Sequence, residues 1–184
     1  MFKYNDQEDT IETDRLVLRK FTLDDSQTVT RICSTDAIQK NTLNLPNPYT
    51  EESAIEWIMS QGENSKQNKS YDYAITDKLT GNLYGCVSLA VFKNGYIAEL
   101  GYWISPDTWN KGIATEAATA LIRFGFEMKQ FHKIVAKHFK YNGASGRVME
   151  KAGMTKEGLQ KKHVLKNNKY EDSVLYGISN PLDS

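Results

Sequence analysis

The chain has only two cysteines, Cys33 and Cys86, and they stand far apart with no Cys-x-x-Cys spacing. That excludes a disulfide scaffold and a redox motif, and it fits structural thiols in a reducing, cytoplasmic setting. The three histidines, His132, His138 and His163, match no metal-ligand spacing and lack nearby cysteine partners, so no metal site is expected. Net charge is missing as well, with 23 Lys plus Arg against 23 Asp plus Glu. Without a basic field, neither nucleic acid nor an anionic membrane is an expected partner. No apolar run approaches a membrane span, and the opening Met1-Phe2-Lys3-Tyr4-Asn5-Asp6 does not read as a secretory signal. Nor is there a Gly-x-x-x-x-Gly-Lys-Ser/Thr loop to hold a nucleoside triphosphate with magnesium.

What is there reads as one domain over 1–184, with ordinary globular composition: 40% apolar and 25% charged residues. Residues 13–21 alternate Leu16 and Leu18 against Arg15 and Arg19, which predicts a first strand. Thr22 then caps a helix with Asp24 and Asp25 in its first turn, and Thr50 caps a second whose apolar residues are Ile55, Ile58 and Met59. Strands follow at 71–76, 83–89 and 97–104, with turns at Thr80-Gly81-Asn82 and Asn94-Gly95. A helix over 113–129 carries the stripe Ile113, Ala117, Leu121, Phe124 and Met128. A strand over 133–139, a helix over 142–152 stopped by Gly153, and two strands joined by Asn167-Asn168 complete the chain, with 172–178 as the last strand. The pattern predicts a mixed α/β (α+β) fold: a mostly antiparallel sheet flanked by helices, with one strand–helix–strand crossover whose strands run parallel. The clustered Lys133, Lys137, Lys140, Lys161 and Lys162 read as a solvated face.

Chemistry concentrates around Trp109-Asn110-Lys111-Gly112-Ile113-Ala114-Thr115. A strand ends, a glycine turn exposes backbone amides, and a helix starts at once. Free N–H groups at a helix N-terminus, backed by the helix dipole, form an anion site that needs no basic side chain. About thirty residues later Asn142-Gly143-Ala144-Ser145 opens another helix, with Ser145, Met149 and Gly153 on the same face as Asn142.

Together these elements resemble the GCN5-related N-acetyltransferase superfamily, whose acetyl-CoA loop reads Gln/Arg-x-x-Gly-x-Gly/Ala. Its later helix reads Asn-x-x-Ala/Ser, often with Tyr seven residues after the Asn. Residues 13–19, 99–104 and 170–176 further resemble the branch that acetylates the N-termini of ribosomal proteins. The resemblance implies the acyl-CoA N-acyltransferase fold, acetyl-CoA as co-substrate with no metal, and transfer to a primary amine by direct attack, with no cysteine near the motifs as acyl carrier. The acceptor it implies is a protein N-terminus, with a small amine (amino acid, polyamine or aminoglycoside-like) or a non-catalytic CoA-binding role as alternatives. A homo-oligomer stays open.

Acetyl-CoA is then expected on Tyr102, Trp103, Ile104, Trp109, Asn110, Lys111, Gly112, Ile113, Ala114, Thr115, Asn142 and Arg147, between the strand ending at Ile104 and the one starting at Lys133. A bulge around Leu100 to Trp103 is implied, with backbone amides that polarise the thioester oxygen. Two positions depart from the pattern. Trp109 replaces Gln or Arg, which removes a side-chain contact to phosphate, and Met149 replaces the Tyr that would serve as general acid. The resemblance then points to Ser145 as the acid and Glu99 as the base. Asn142 reads as an N-cap whether or not it also reaches the cofactor. Glu99 also reads as an outward acid on a half-buried strand, and Lys151 as solvated.

Overall fold

A computed structural model describes residues 2–7, 9–92 and 94–181. Its nine strands form one sheet in the order β1-β2-β3-β4-β5-β6-β7-β9-β8. They are β1 (Lys3–Asn5), β2 (Thr10–Glu12), β3 (Leu16–Arg19), β4 (Ser70–Asp77), β5 (Leu83–Val91), β6 (Ile97–Ile104), β7 (Lys133–Phe139), β8 (Thr155–Lys166) and β9 (Lys169–Ser179). Neighbours are antiparallel except β6 and β7, the expected parallel pair. The helices are α1 (Ser26–Cys33), α2 (Asp36–Asn41), α3 (Glu51–Lys66), α4 (Ile113–Glu127) and α5 (Gly143–Lys151).

The turns form where local chemistry demands them. Asn167 and Asn168 both take positive φ (48° and 59°), which asparagine tolerates in a tight hairpin. At the β4–β5 turn the Asp77 carboxylate accepts from the amides of Leu79 and Thr80 at 3.0 and 2.8 Å.

Each sheet face buries its own core. On one face Ala117, Leu121 and Phe124 of α4 pack with Leu89, Leu100 and Ile134. Each such Leu or Phe contributes ~1.5–3 kcal/mol on burial. On the other face α1 and α3 bring Val29, Ala54 and Ile58 onto Phe21, Ala74 and Cys86, with Trp57 and Trp103 at the margin.

Several sequence expectations need correction. Strand β3 is shorter than 13–21, because Thr13 turns the chain: its amide donates to Leu16 O at 2.9 Å and its hydroxyl accepts from Leu16 N at 2.9 Å. The two short strands before it carry no clear alternation and were not foreseen. Thr22 heads a single 3-10 turn, Leu23–Asp25, and α1 begins only at Ser26. Met59 is 68% exposed and Met128 45%, so neither belongs to its helix's buried stripe; α4 ends at Glu127. The last strand starts at Lys169 and not at 172.

Candidate functional site

β6 and β7 pair at Ile97↔Lys133, Ala98↔Ile134 and Glu99↔Val135, and there the pairing stops although both strands continue. β6 stays in step with β5 from Ala98↔Val91 to Ile104↔Gly85, while β7 follows β9 from Lys133↔Ser179 to Phe139↔Ser173. The sheet therefore splits into a wedge. The expected bulge around Leu100 to Trp103 is absent: β5 and β6 show no register shift, and the opening comes from β7 leaving with β9. The Ser105 amide donates to Tyr84 O at 2.7 Å, and strand alternation then turns the N–H groups of Tyr102 and Ile104 into the wedge.

Just past β6 lies the glycine turn. Asn110 (φ 62°) and Gly112 (φ 77°) both sit in the left-handed region, which Gly adopts freely and Asn tolerates better than most residues. The first bond of the α4 ladder runs from Glu116 N to Gly112 O at 3.0 Å. The amides of Ile113, Ala114 and Thr115 precede that bond and have no acceptor within the helix. Trp109 braces the turn, its indole N–H donating to Ile104 O at 2.8 Å.

Behind the turn stands Arg15. Its guanidinium donates to Lys111 O at 2.9 Å and to the Glu116 carboxylate at 2.7 Å, and Thr13 Oγ1 donates to the same carboxylate at 2.6 Å. Burial works against ionising Glu116, but Thr13 and Arg15 outweigh it and hold the carboxyl below the usual range.

α5 closes the wedge from the α4 side. Asn142 caps it, its side-chain oxygen accepting from Ser145 N at 3.4 Å. Tyr102 reaches across from β6 and places its hydroxyl 2.7 Å from Ser145 Oγ and 2.9 Å from Ser145 O. Met149 is 1% exposed and lies in the core. Gly146 lets α5 lie close to β7, since a Cβ there would stand 2.8 Å from His138 Nε2.

Glu99, three residues before Tyr102, projects from the opposite face of the strand. Lys137 Nζ lies 3.1 Å from Glu99 Oε2, so this ion pair bridges the point where β6 and β7 part. Lys133 and Lys140 are paired as well, with Glu157 and Asp172.

One cavity of about 1120 Å³ runs through the wedge. Of the residues singled out from the sequence, Glu99, Tyr102, Trp103, Ile104, Trp109, Asn110, Gly112, Ile113, Ala114, Thr115, Asn142, Ser145 and Arg147 all line it. Lys111 does not; its ammonium donates to Asp107 O at 3.1 Å and its carbonyl is held by Arg15. Exposed Lys151 sits at the rim. Among the described residues, no group of three or more His, Cys, Asp or Glu is placed to hold a metal ion, and no helix is long and apolar enough to cross a membrane.

This arrangement has a counterpart. A family model for the acetyltransferase (GNAT) domain matches residues 15–155. The chain belongs to the GNAT acetyltransferase family. It is 30% identical over 172 residues to the uncharacterized N-acetyltransferase YoaA of Bacillus subtilis, spanning 93% of this chain and 97% of that one. It is 28% identical over 179 residues to the ribosomal protein uS5-alanine N-acetyltransferase of Escherichia coli, covering 93% and 91% of the two chains. RimL, the ribosomal L7/L12 alpha-N-protein acetyltransferase in complex with coenzyme A, shares the fold with a TM-score of 0.84 at 20% identity, over 93% of this chain and 97% of that one.

Several residues of this GNAT cavity escaped the sequence reading. On the Glu99 face, Tyr49, Trp57, Asp72 and Ser88 form its wall. Asp72 accepts from Ser70 Oγ at 2.5 Å, and burial pushes its carboxyl up. An acid inside the apolar run Tyr71-Asp72-Tyr73-Ala74-Ile75 is the same signal that drew attention to Glu99. Residues 41–46 line the cavity as a strap, tied to the segment after β7 and to β8 where Tyr141 Oη donates to Lys40 O at 2.8 Å and Lys166 Nζ donates to Thr42 O. Cys86 lines the cavity too, against the expectation that no cysteine lies near the motifs, because β5 pairs it with Trp103. Burial pushes that thiol far above its usual range, so it stays protonated.

Proposed function

We propose that this GNAT enzyme transfers the acetyl group of acetyl-CoA to the α-amine of a protein N-terminus, by direct attack while both substrates are bound. One observation carries this reading: a single cavity passes through the split sheet, with the α4 amides and the Tyr102–Ser145 pair on one side and Glu99 under the strap on the other. The amides of residues 112–115 suit the pyrophosphate, and Asn142 and Arg147, which line the same cavity, would serve the pantetheine and nucleotide. The strap of residues 41–46 suits an acceptor that enters by its end. The relative that acts on an alanine of ribosomal protein uS5 supports the same acceptor class.

In this reading the amine nitrogen attacks the thioester carbon, the amine proton passes to Glu99 directly or through water, and the N–H of Tyr102 or Ile104 polarises the carbonyl oxygen. The C–S bond then breaks, its electron pair stays on sulfur, and Ser145 supplies the proton that makes the thiol. An α-amine needs little help to lose its proton, since its pKa is about 7.7–8.0. We place the enzyme in the cytoplasm as one domain, in keeping with its two free cysteines.

A second reading, a small amine carrying another positive charge, is favoured by Glu56 and Asp72, which line the cavity together with Trp57 and Trp103. A mass-spectrometric screen of N-terminal peptides, monoamines and diamines with acetyl-CoA decides between them. Acetylation of peptides at their α-amine is expected. Acetylation of diamines alone would replace the first reading with the second, and no acetylation of any amine would overturn both.

A further inference from the structure

We infer that Tyr102 directs the hydroxyl proton of Ser145, and so is the positioning residue that makes Ser145 a donor to the departing sulfur. The inference rests on the reading of Ser145 as the group that protonates the thiolate.

The argument begins with a count of protons. A phenol carries one O–H, and two acceptors lie within its reach: Ser145 O at 2.9 Å and Ser145 Oγ at 2.7 Å. If Tyr102 donates to the carbonyl, the short contact to Oγ requires Ser145 to donate to Tyr102. The serine proton is then directed at the phenol and away from the cavity. If Tyr102 donates to Oγ, the serine proton is released and can point into the cavity that both residues line. The choice costs the carbonyl little, because Ser145 O lies in the first turn of α5 and the helix ladder supplies it a second donor, Met149 N.

A serine hydroxyl alone is a weak acid. A donor behind its oxygen polarises the O–H bond and strengthens the bond it makes in front. Tyr102 suits that task because it keeps its own proton: burial, the largest influence, pushes its phenol up to about 12. It therefore acts by hydrogen bonding and not as the net proton source. One proton leaves the amine nitrogen and one arrives on sulfur from Ser145, whose oxygen is reprotonated from solvent, so the hydroxyl pair ends the cycle as it began. The phenol absent from α5 at Met149 thus arrives from the sheet, on the strand that also carries Glu99.

The test uses Tyr102→Phe, Ser145→Ala and the double variant, with thiol release from acetyl-CoA followed in a single turnover with an acetylated peptide or amine acceptor. Phe keeps the ring and removes the hydroxyl, and acetyl-CoA affinity by calorimetry reports whether α5 is still in place. Each single change should lower the rate roughly 10- to 100-fold, at or below the lower edge of general acid effects because a thiolate is a fair leaving group. The double variant should be no slower than the slower single one, acetyl-CoA affinity should hold within about twofold, and the solvent isotope effect of the wild type should shrink toward unity in both singles. A wild-type rate in Tyr102→Phe, losses that multiply in the double variant, or a loss confined to acetyl-CoA affinity would each overturn the inference. A wild-type rate in Ser145→Ala would instead remove the underlying reading of Ser145, and the inference with it.

Discussion

Arg15 and Glu116 meet from positions 101 residues apart, and their ion pair at 2.6 Å fixes the turn that carries Gly112. The same guanidinium holds the Lys111 carbonyl on the outside of the turn, which leaves the amides that follow facing the cavity. The stretch Thr13-Asp14-Arg15-Leu16, familiar from the family resemblance, thereby has a physical role here: it buttresses the turn from behind.

Replacing Arg15 by Gln should weaken acetyl-CoA binding by roughly fivefold. Charge-assisted hydrogen bonds are stronger than that when buried, but the Arg15 side chain is 54% exposed and solvent screens it. S-acetylpantetheine, which lacks the pyrophosphate, should bind the variant as well as it binds the wild type. Calorimetry with both donors checks this, and an equal loss for the two would mean that Arg15 acts elsewhere.

Acid should release the same contact. Against the cost of burial, Glu116 is held below its ordinary value by Thr13 and Arg15, and Asp25 is held down in the same way by Arg19. A carboxyl depressed in the folded chain stabilises it fully above the unfolded value, about 4.3 for Glu, and the gain is lost as pH falls through the folded value. Melting temperature should therefore drop steeply below about pH 4 in the wild type and less steeply in Glu116→Gln. Parallel curves would take Glu116 out of the account.

Glu99 shares its charge with Lys137, so its removal must be tested with its partner in mind. Glu99→Gln should move the acidic limb of the pH–rate profile, because an amide cannot accept the amine proton and the limb is then set by the amine alone. Lys137→Met should leave a sloping limb in place. If both variants keep the wild-type profile, the pair only braces the fork of the sheet.

The strap should govern the acceptor and not the donor. Removing its ties with Tyr141→Phe and Lys166→Met should raise the acceptor KM by roughly 3- to 10-fold, the range for hydrogen bonds worth about a kilocalorie each. The KM for acetyl-CoA should not move. A shift in both constants would show that the ties support the whole cavity.

Much of this was legible in the residues. The bounds of β6 and β7 follow from apolar alternation and from the Asn94-Gly95 turn, and the glycine turn that opens α4 follows from Gly112 before an amphipathic stripe. The cap at Asn142 was equally plain. What stayed hidden is non-local. Tyr141 meets Lys40 across 101 positions and Lys166 meets Thr42 across 124, and no periodicity records such meetings. Lys137 looked like one of several solvated lysines because its partner sits on the neighbouring strand. The bulge that the resemblance implies for β6 is not there, and the wedge arises because β7 follows β9.

Because the opening pierces the sheet, the two halves of the cavity are built on different helices: α4 and α5 on one face, the strap before α3 and the wall of Tyr49 and Trp57 on the other. On the proposed assignment, donor and acceptor would approach the reacting centre from opposite faces of the sheet. The two sides still touch, since Arg31 of α1 pairs with Asp107 before the glycine turn and Trp57 of α3 packs beside Trp103.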